Sequence, residues 1–133
     1  MKILQPPGWA RAKGFSNGIA ASGKLVFIAG QIGWTGEGKW EASDFAGQFR
    51  QAIRNILEVL AQANGRPEHI VRLTWYVLDK REYLGSLQAV GEAYRELMGR
   101  HYPTMAVVQV SGLVEPEARL EIEATAVVPE TPS

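Results

Sequence analysis

Apolar residues along the chain change period four times, and each change marks an element. Ile19-Ala20-Ala21-Ser22 and Leu25-Val26-Phe27-Ile28-Ala29-Gly30 flank Gly23-Lys24. Two short apolar runs around a glycine turn predict a β-hairpin. From Asp44 to Asn64 the period becomes helical, with Phe45, Phe49, Ala52, Ile53, Ile56, Leu57 and Leu60 on one face. Ser43 or Asp44 supplies a cap, and Asn64-Gly65 a left-handed stop. Ile70 to Leu78 then alternates as a strand, with Val71, Leu73, Trp75 and Val77 on one side and Arg72, Thr74 and Tyr76 on the other. Asp79 and Glu82 have the spacing of a capping box. They open a second helix whose apolar face is Tyr83, Leu87, Val90, Tyr94, Leu97 and Met98, ending near Gly99. Two strands close the chain, His101–Val110 and Ala118–Val127.

This order predicts an α+β fold in which two helices cover one face of a β-sheet. One domain over residues 1–128 and a flexible tail over 129–133 are expected. On the last strand Leu120, Ile122, Ala124 and Ala126 alternate with Glu121, Glu123 and Thr125. Placing Met105, Val107 and Gln109 with Arg72, Thr74 and Tyr76 gives the second sheet face a mixed apolar and polar character. Such a face predicts self-association.

Composition removes several function classes. Fourteen acidic and fourteen basic side chains balance, so no basic excess drives binding to phosphate backbones, and no nucleic-acid partner is expected. The chain has no cysteine, which removes disulfides, thiolate metal sites and a thiol nucleophile. Two histidines without a carboxylate cluster predict no metal site. No apolar run reaches the about 20 residues that span a bilayer, and the N-terminus lacks a signal-peptide pattern. A cytoplasmic protein without membrane contact is expected. No dinucleotide fingerprint or Ser/His/Asp constellation is present.

Several local motifs, in order, carry a resemblance. Gly30-Gln31-Ile32 ends a strand, and Gln48 and Asn55 share the first helix. Ile70-Val71-Arg72-Leu73-Thr74 opens the middle strand, Pro103 precedes the next, and Glu121-Ile122-Glu123-Ala124 forms the last. Together they resemble the YjgF/RidA family of reactive-intermediate deaminases, from about Gly14 to Val127. The resemblance implies a chorismate-mutase-like subunit, a homotrimer packed through its sheets, and small-molecule clefts between subunits. It implies hydrolysis of an enamine or imine with no metal or organic cofactor, and Glu121 as the catalytic residue.

The resemblance also assigns substrate-binding positions to Phe15, Gly30, Gln31, Ile32, Trp34, Gly91, Met105 and Val107. Four of these depart from the family pattern. Met105 stands where the family has the arginine that grips a substrate carboxylate, Val107 where many members have cysteine, Phe15 in place of a tyrosine, and Gly91 in place of an asparagine. A guanidinium fork is the natural carboxylate clamp, so its loss predicts a more apolar pocket and a different substrate. His101, Tyr76 and Arg72 are further candidates, His101 for proton transfer. Met105 reads equally as packing filler, and Trp34 as cover for a core edge. Two functions follow: a deaminase acting on a substrate without the arginine anchor, or a non-catalytic trimer that binds a small ligand. A Glu121 held by Arg72 or Arg119 favours binding; an unpaired Glu121 favours catalysis.

Overall fold

A computed structural model describes residues 1–130; the last three residues of the expected tail lie outside the described part. The elements are β1 (Lys2–Leu4), β2 (Gly18–Ala20), β3 (Lys24–Gln31), α1 (Phe45–Ala61), β4 (Ile70–Val77), α2 (Lys80–Gly85), α3 (Leu87–Met98), β5 (Thr104–Gln109) and β6 (Leu120–Val128). A single 3₁₀ turn, Pro67–His69, leads into β4. The main sheet has the order β3-β6-β4-β5. Strand β6 runs antiparallel to both neighbours, while β4 and β5 are parallel. The fold is α+β, with a mixed sheet.

The core forms where the helical apolar stripe meets one sheet face. Phe49, Ile53, Ile56 and Leu60 of α1 pack with Leu73, Trp75 and Val77 of β4 and with Leu120, Ile122, Ala124 and Ala126 of β6. Phe49 stacks on Trp75 at 4.8 Å between ring centroids, and Tyr83 meets Trp75 edge-on at 5.7 Å. The caps follow the expected chemistry. Asp44 accepts from the Gly47 N–H, and Asn64 adopts a positive φ of 58° where the chain leaves α1.

Four expectations are corrected. First, β2 and β3 do not form a hairpin. β2 pairs with β1, and β3 pairs with β6. Gly23 runs against the end of β6 instead of turning: a Cβ there would lie 2.9 Å from the Val128 carbonyl carbon. Alternation shows that a run is a strand but not which strand it pairs with. Second, the second helix is broken. α2 ends at Gly85, and Ser86 (φ −115°, ψ 12°) separates it from α3, consistent with the low helix propensity of glycine. Asp79 caps α2 through the Arg81 N–H at 2.9 Å, but Glu82 leaves the capping box to pair with Arg119.

Third, a bulge between Ile70 and Arg72 sends Ile70 into the core and leaves Val71 half-buried. Fourth, Met105 and Val107 do not share a face with Arg72, Thr74 and Tyr76. The parallel ladder pairs Met105 with Leu73 and Val107 with Trp75, so both side chains lie on the helix side and pack against the core. Ala106 and Val108 take the open face. Two strands of known alternation can be joined in either parity, and register decides between them.

Candidate functional site

The candidate site is framed by two buried polar residues in the apolar face of α1. Gln48 and Asn55 are seven apart, two turns along one helix face, and both are buried. Gln48 Nε2 donates to the Ala42 carbonyl (3.3 Å) and the Glu117 carbonyl (3.0 Å), and its Oε1 accepts from the Arg119 N–H at 2.8 Å. Asn55 Nδ2 donates to the carbonyls of Ile32 (3.3 Å) and Trp34 (2.7 Å), while its Oδ1 accepts from Gln51. One residue therefore ties down the entry to β6, just before Glu121. The other ties down the loop that leaves β3. Polar side chains inside an apolar stripe were the available signal for this role, because a buried amide must find partners.

Glu121, Tyr76 and Arg72 all lie on the open face, where Glu121 is the register partner of Tyr76. The Glu121 carboxylate rests against Gly30: a Cβ there would lie 2.8 Å from Glu121 Cδ and closer still to Oε2. Gly30 is thus a place where only the absence of a side chain gives the carboxylate room. Among the described residues Glu121 has no ion pair. Arg119 is occupied elsewhere, donating to Glu82 and to the Ser43 carbonyl. The neighbouring Glu123 accepts a 2.6 Å hydrogen bond from the Tyr76 hydroxyl. That bond, followed by desolvation and the two nearby carboxylates, raises the Tyr76 phenol above its usual value. Beside this pair a recess of about 680 Å³ is lined by Phe27, Arg72, Thr74, Tyr76, Ala106 and Glu123.

The other candidates fall elsewhere. Gln31 ends β3 and donates to the Ala29 carbonyl at 3.1 Å. Ile32 is buried. Trp34 packs against Trp40 at 5.9 Å and lines a groove with Gln31, Asn55 and Glu58 on the α1 side. Gly91 is half-buried on α3, with Arg95 as its neighbour. Met105 and Val107 are on the helix side of edge strand β5. Phe15 and His101 share a cleft near the N-terminus, where His101 Nε2 lies 2.6 Å from the Ile70 carbonyl. Tyr76, the partner of Glu121, lies six positions beyond Ile70 along β4, or about 20 Å at the rise of a strand. Within one chain the structure therefore brings Glu121, Gly30, Tyr76 and Arg72 to one face and leaves the other candidates in separate places. Among the described residues no group of three His, Cys, Asp or Glu is placed to hold a metal ion, and no helix is long and apolar enough to cross a membrane.

An α+β subunit with a mixed four-stranded sheet, helices on one face and a carboxylate pair on the other defines the class. The chain belongs to the YjgF/RidA family: the family model described as endoribonuclease L-PSP matches residues 8–128. It is 32% identical over 113 residues to a RutC family protein of Pyrococcus horikoshii, covering 84% of this chain and 85% of that one. It is 29% identical over 105 residues to the 2-iminobutanoate/2-iminopropanoate deaminase of Salmonella typhimurium, covering 79% and 80%. The crystal structure of YyfB from Yersinia pestis, a Rid-family protein of unknown function, superposes with a TM-score of 0.84 at 30% identity, covering 96% of this chain and 98% of that one.

Proposed function

We propose that this protein hydrolyses an enamine or imine, releasing ammonia, with Glu121 as the group that handles water. The observation that carries the reading is the state of Glu121. It is a carboxylate on the uncovered sheet face, seated against Gly30, while the nearby Arg119 and Tyr76 are bonded to other carboxylates. A carboxylate free of an ion pair is available to accept a proton from water. The water oxygen then bonds to the imine carbon, the C=N electrons move to nitrogen, and Glu121 returns its proton to that nitrogen; collapse of the carbinolamine, with Glu121 passing the hydroxyl proton to the departing nitrogen, releases ammonia and leaves a carbonyl. The deaminase name of a relative at 29% identity supports the reaction type. Position 105 bears on the substrate. Met105 is packed against the core and offers no charge, so the substrate is one that needs no carboxylate clamp there.

The same reading includes a homotrimer of chorismate-mutase-like subunits. Its support is the open sheet face, where Leu25 (61%), Phe27 (74%) and Val108 (43%) stay exposed, a patch apolar enough to favour a partner. Sedimentation at micromolar concentration tests this, and a stable monomer refutes it. The catalytic test is Glu121→Gln, assayed by ammonia release from a panel of enzymatically generated enamines. The variant is expected to lose turnover by about 100-fold or more while ligand binding changes little. The second reading, a non-catalytic ligand-binding trimer, is favoured by the missing arginine. It gains if the wild-type protein binds members of the panel yet releases no ammonia.

A further inference from the structure

We infer that Glu82 is a positioning residue for Glu121: it holds Arg119, and so keeps a guanidinium off the carboxylate that handles water. Arg119 lies two positions before Glu121, so at most about 7 Å separates their Cα atoms, within the reach of an arginine side chain. The main chain of Arg119 is pinned. Its N–H donates to Gln48 (2.8 Å), and its carbonyl accepts from the Leu78 N–H (3.1 Å). The side chain alone therefore decides where the charge goes. It pairs with Glu82 on α2, while Nε donates to the Ser43 carbonyl at 2.5 Å.

α2 sets the place of Glu82 through three contacts. Asp79 caps it through the Arg81 N–H (2.9 Å), Gln109 Oε1 on β5 accepts from the Lys80 N–H (2.8 Å), and Tyr83 packs edge-on against Trp75 (5.7 Å) and Phe45 (6.2 Å). The short helix thus stays fixed to β5 and the core, although Ser86 parts it from α3. The second Glu82 oxygen, Oε1, is shielded from solvent and has no partner among the described residues, where Arg119 is the one ion-pair partner of this carboxylate. With side chains 41% and 30% exposed, the bridge adds little to stability. Its larger consequence is where it puts the Arg119 charge. A recess of about 570 Å³ opens beside it and gives the guanidinium room to swing once Glu82 is replaced.

A guanidinium placed on Glu121 favours the charged carboxylate and makes it a weaker base toward water. The other charged or titratable groups about Glu121 are Glu123 on its own strand and Tyr76 and Arg72 on the same face of β4. The adjoining stretch of β3, Phe27 to Gln31, carries no titratable side chain. None of these groups changes when Glu82 is replaced, so a change at Glu121 reports Arg119. The effect on turnover rests on the deaminase reading; the placement of the Arg119 charge does not.

NMR of isotope-labelled side-chain carboxyls in the full chain tests the placement, with the Glu121 signal assigned by its loss in Glu121→Gln. In Glu82→Ala this carboxyl is expected to titrate at lower pH than in the wild type. In Glu82→Ala/Arg119→Met it is expected to return to the wild-type midpoint, with unchanged circular dichroism in both. Glu82→Gln, which keeps the side-chain shape, is expected to move the midpoint the same way as Glu82→Ala. Ammonia release from the enamine panel is expected to fall at least about tenfold in Glu82→Ala. It should recover in the double variant, a rescue that a merely structural role for Glu82 does not give. An unmoved midpoint in Glu82→Ala, or a midpoint or turnover that the second substitution does not restore, overturns the inference. A midpoint that moves and is rescued in a protein releasing no ammonia upholds the placement of Arg119 and refutes the deaminase reading alone.

Discussion

Replacing Gln48 by Leu keeps most of the side-chain volume and removes every polar bond the residue makes. Three backbone groups then lose their partner: the Arg119 N–H and the carbonyls of Ala42 and Glu117. Glu117 is exposed and Ala42 is half-buried, so water re-satisfies much of those two. Arg119 is also half-buried, but its N–H faces the buried Gln48 amide and has the least relief. A stranded buried donor costs about 2 kcal/mol, and the partly solvated carbonyls add about 1 kcal/mol, for a total of about 3 kcal/mol. In a domain of this size that lowers the melting temperature by roughly 10 °C. Urea denaturation with an unchanged m-value reads the loss directly. Because Arg119 lies two positions before Glu121, turnover per folded molecule is expected to fall as well. A Gln48→Leu protein within about 0.5 kcal/mol of wild type refutes the idea that this amide holds the entry to β6.

Gly30→Ala is expected to push the Glu121 carboxylate aside, since the new Cβ would fall 2.8 Å from Glu121 Cδ. It should cut turnover in the wild type and cause no further loss in a Glu121→Gln background. Met105→Ala, at a half-buried site packed on the core, should cost about 1–2 kcal/mol by chemical denaturation; a loss of zero would place that side chain outside the core. Burial, with a smaller contribution from Tyr102, raises the Tyr94 phenol well above its ordinary 10.0. A raised pKa in the folded state means that the neutral form is favoured by folding. The stability Tyr94 contributes is present in full below pH about 10 and is lost as pH climbs through the folded-state value. Alkaline unfolding followed by circular dichroism is expected to depend less steeply on pH in Tyr94→Phe. An unchanged profile assigns the alkaline sensitivity elsewhere.

Much of this protein is written in local pattern. The α1 stripe, its Asp44 cap and Asn64 stop, and the alternation of β4 and β6 follow from residue spacing, because a helix and a strand each repeat within a few residues. The pairing of Glu121 and Glu123 on one face of β6 was legible for the same reason. The family motifs were legible too, since they sit at fixed spacings within elements. Tertiary structure decided what no local period contains. It chose β6 rather than β2 as the partner of β3, and it set the parallel register that turns Met105 and Val107 toward the core. It also gave Arg119 to Glu82, which leaves Glu121 without an ion pair. Gly30 and Glu121 are ninety-one positions apart in the sequence, yet the room made by one determines where the other's carboxylate lies. Such contacts depend on which strands become neighbours, and that is determined by burying the whole apolar surface of the sheet and helices together.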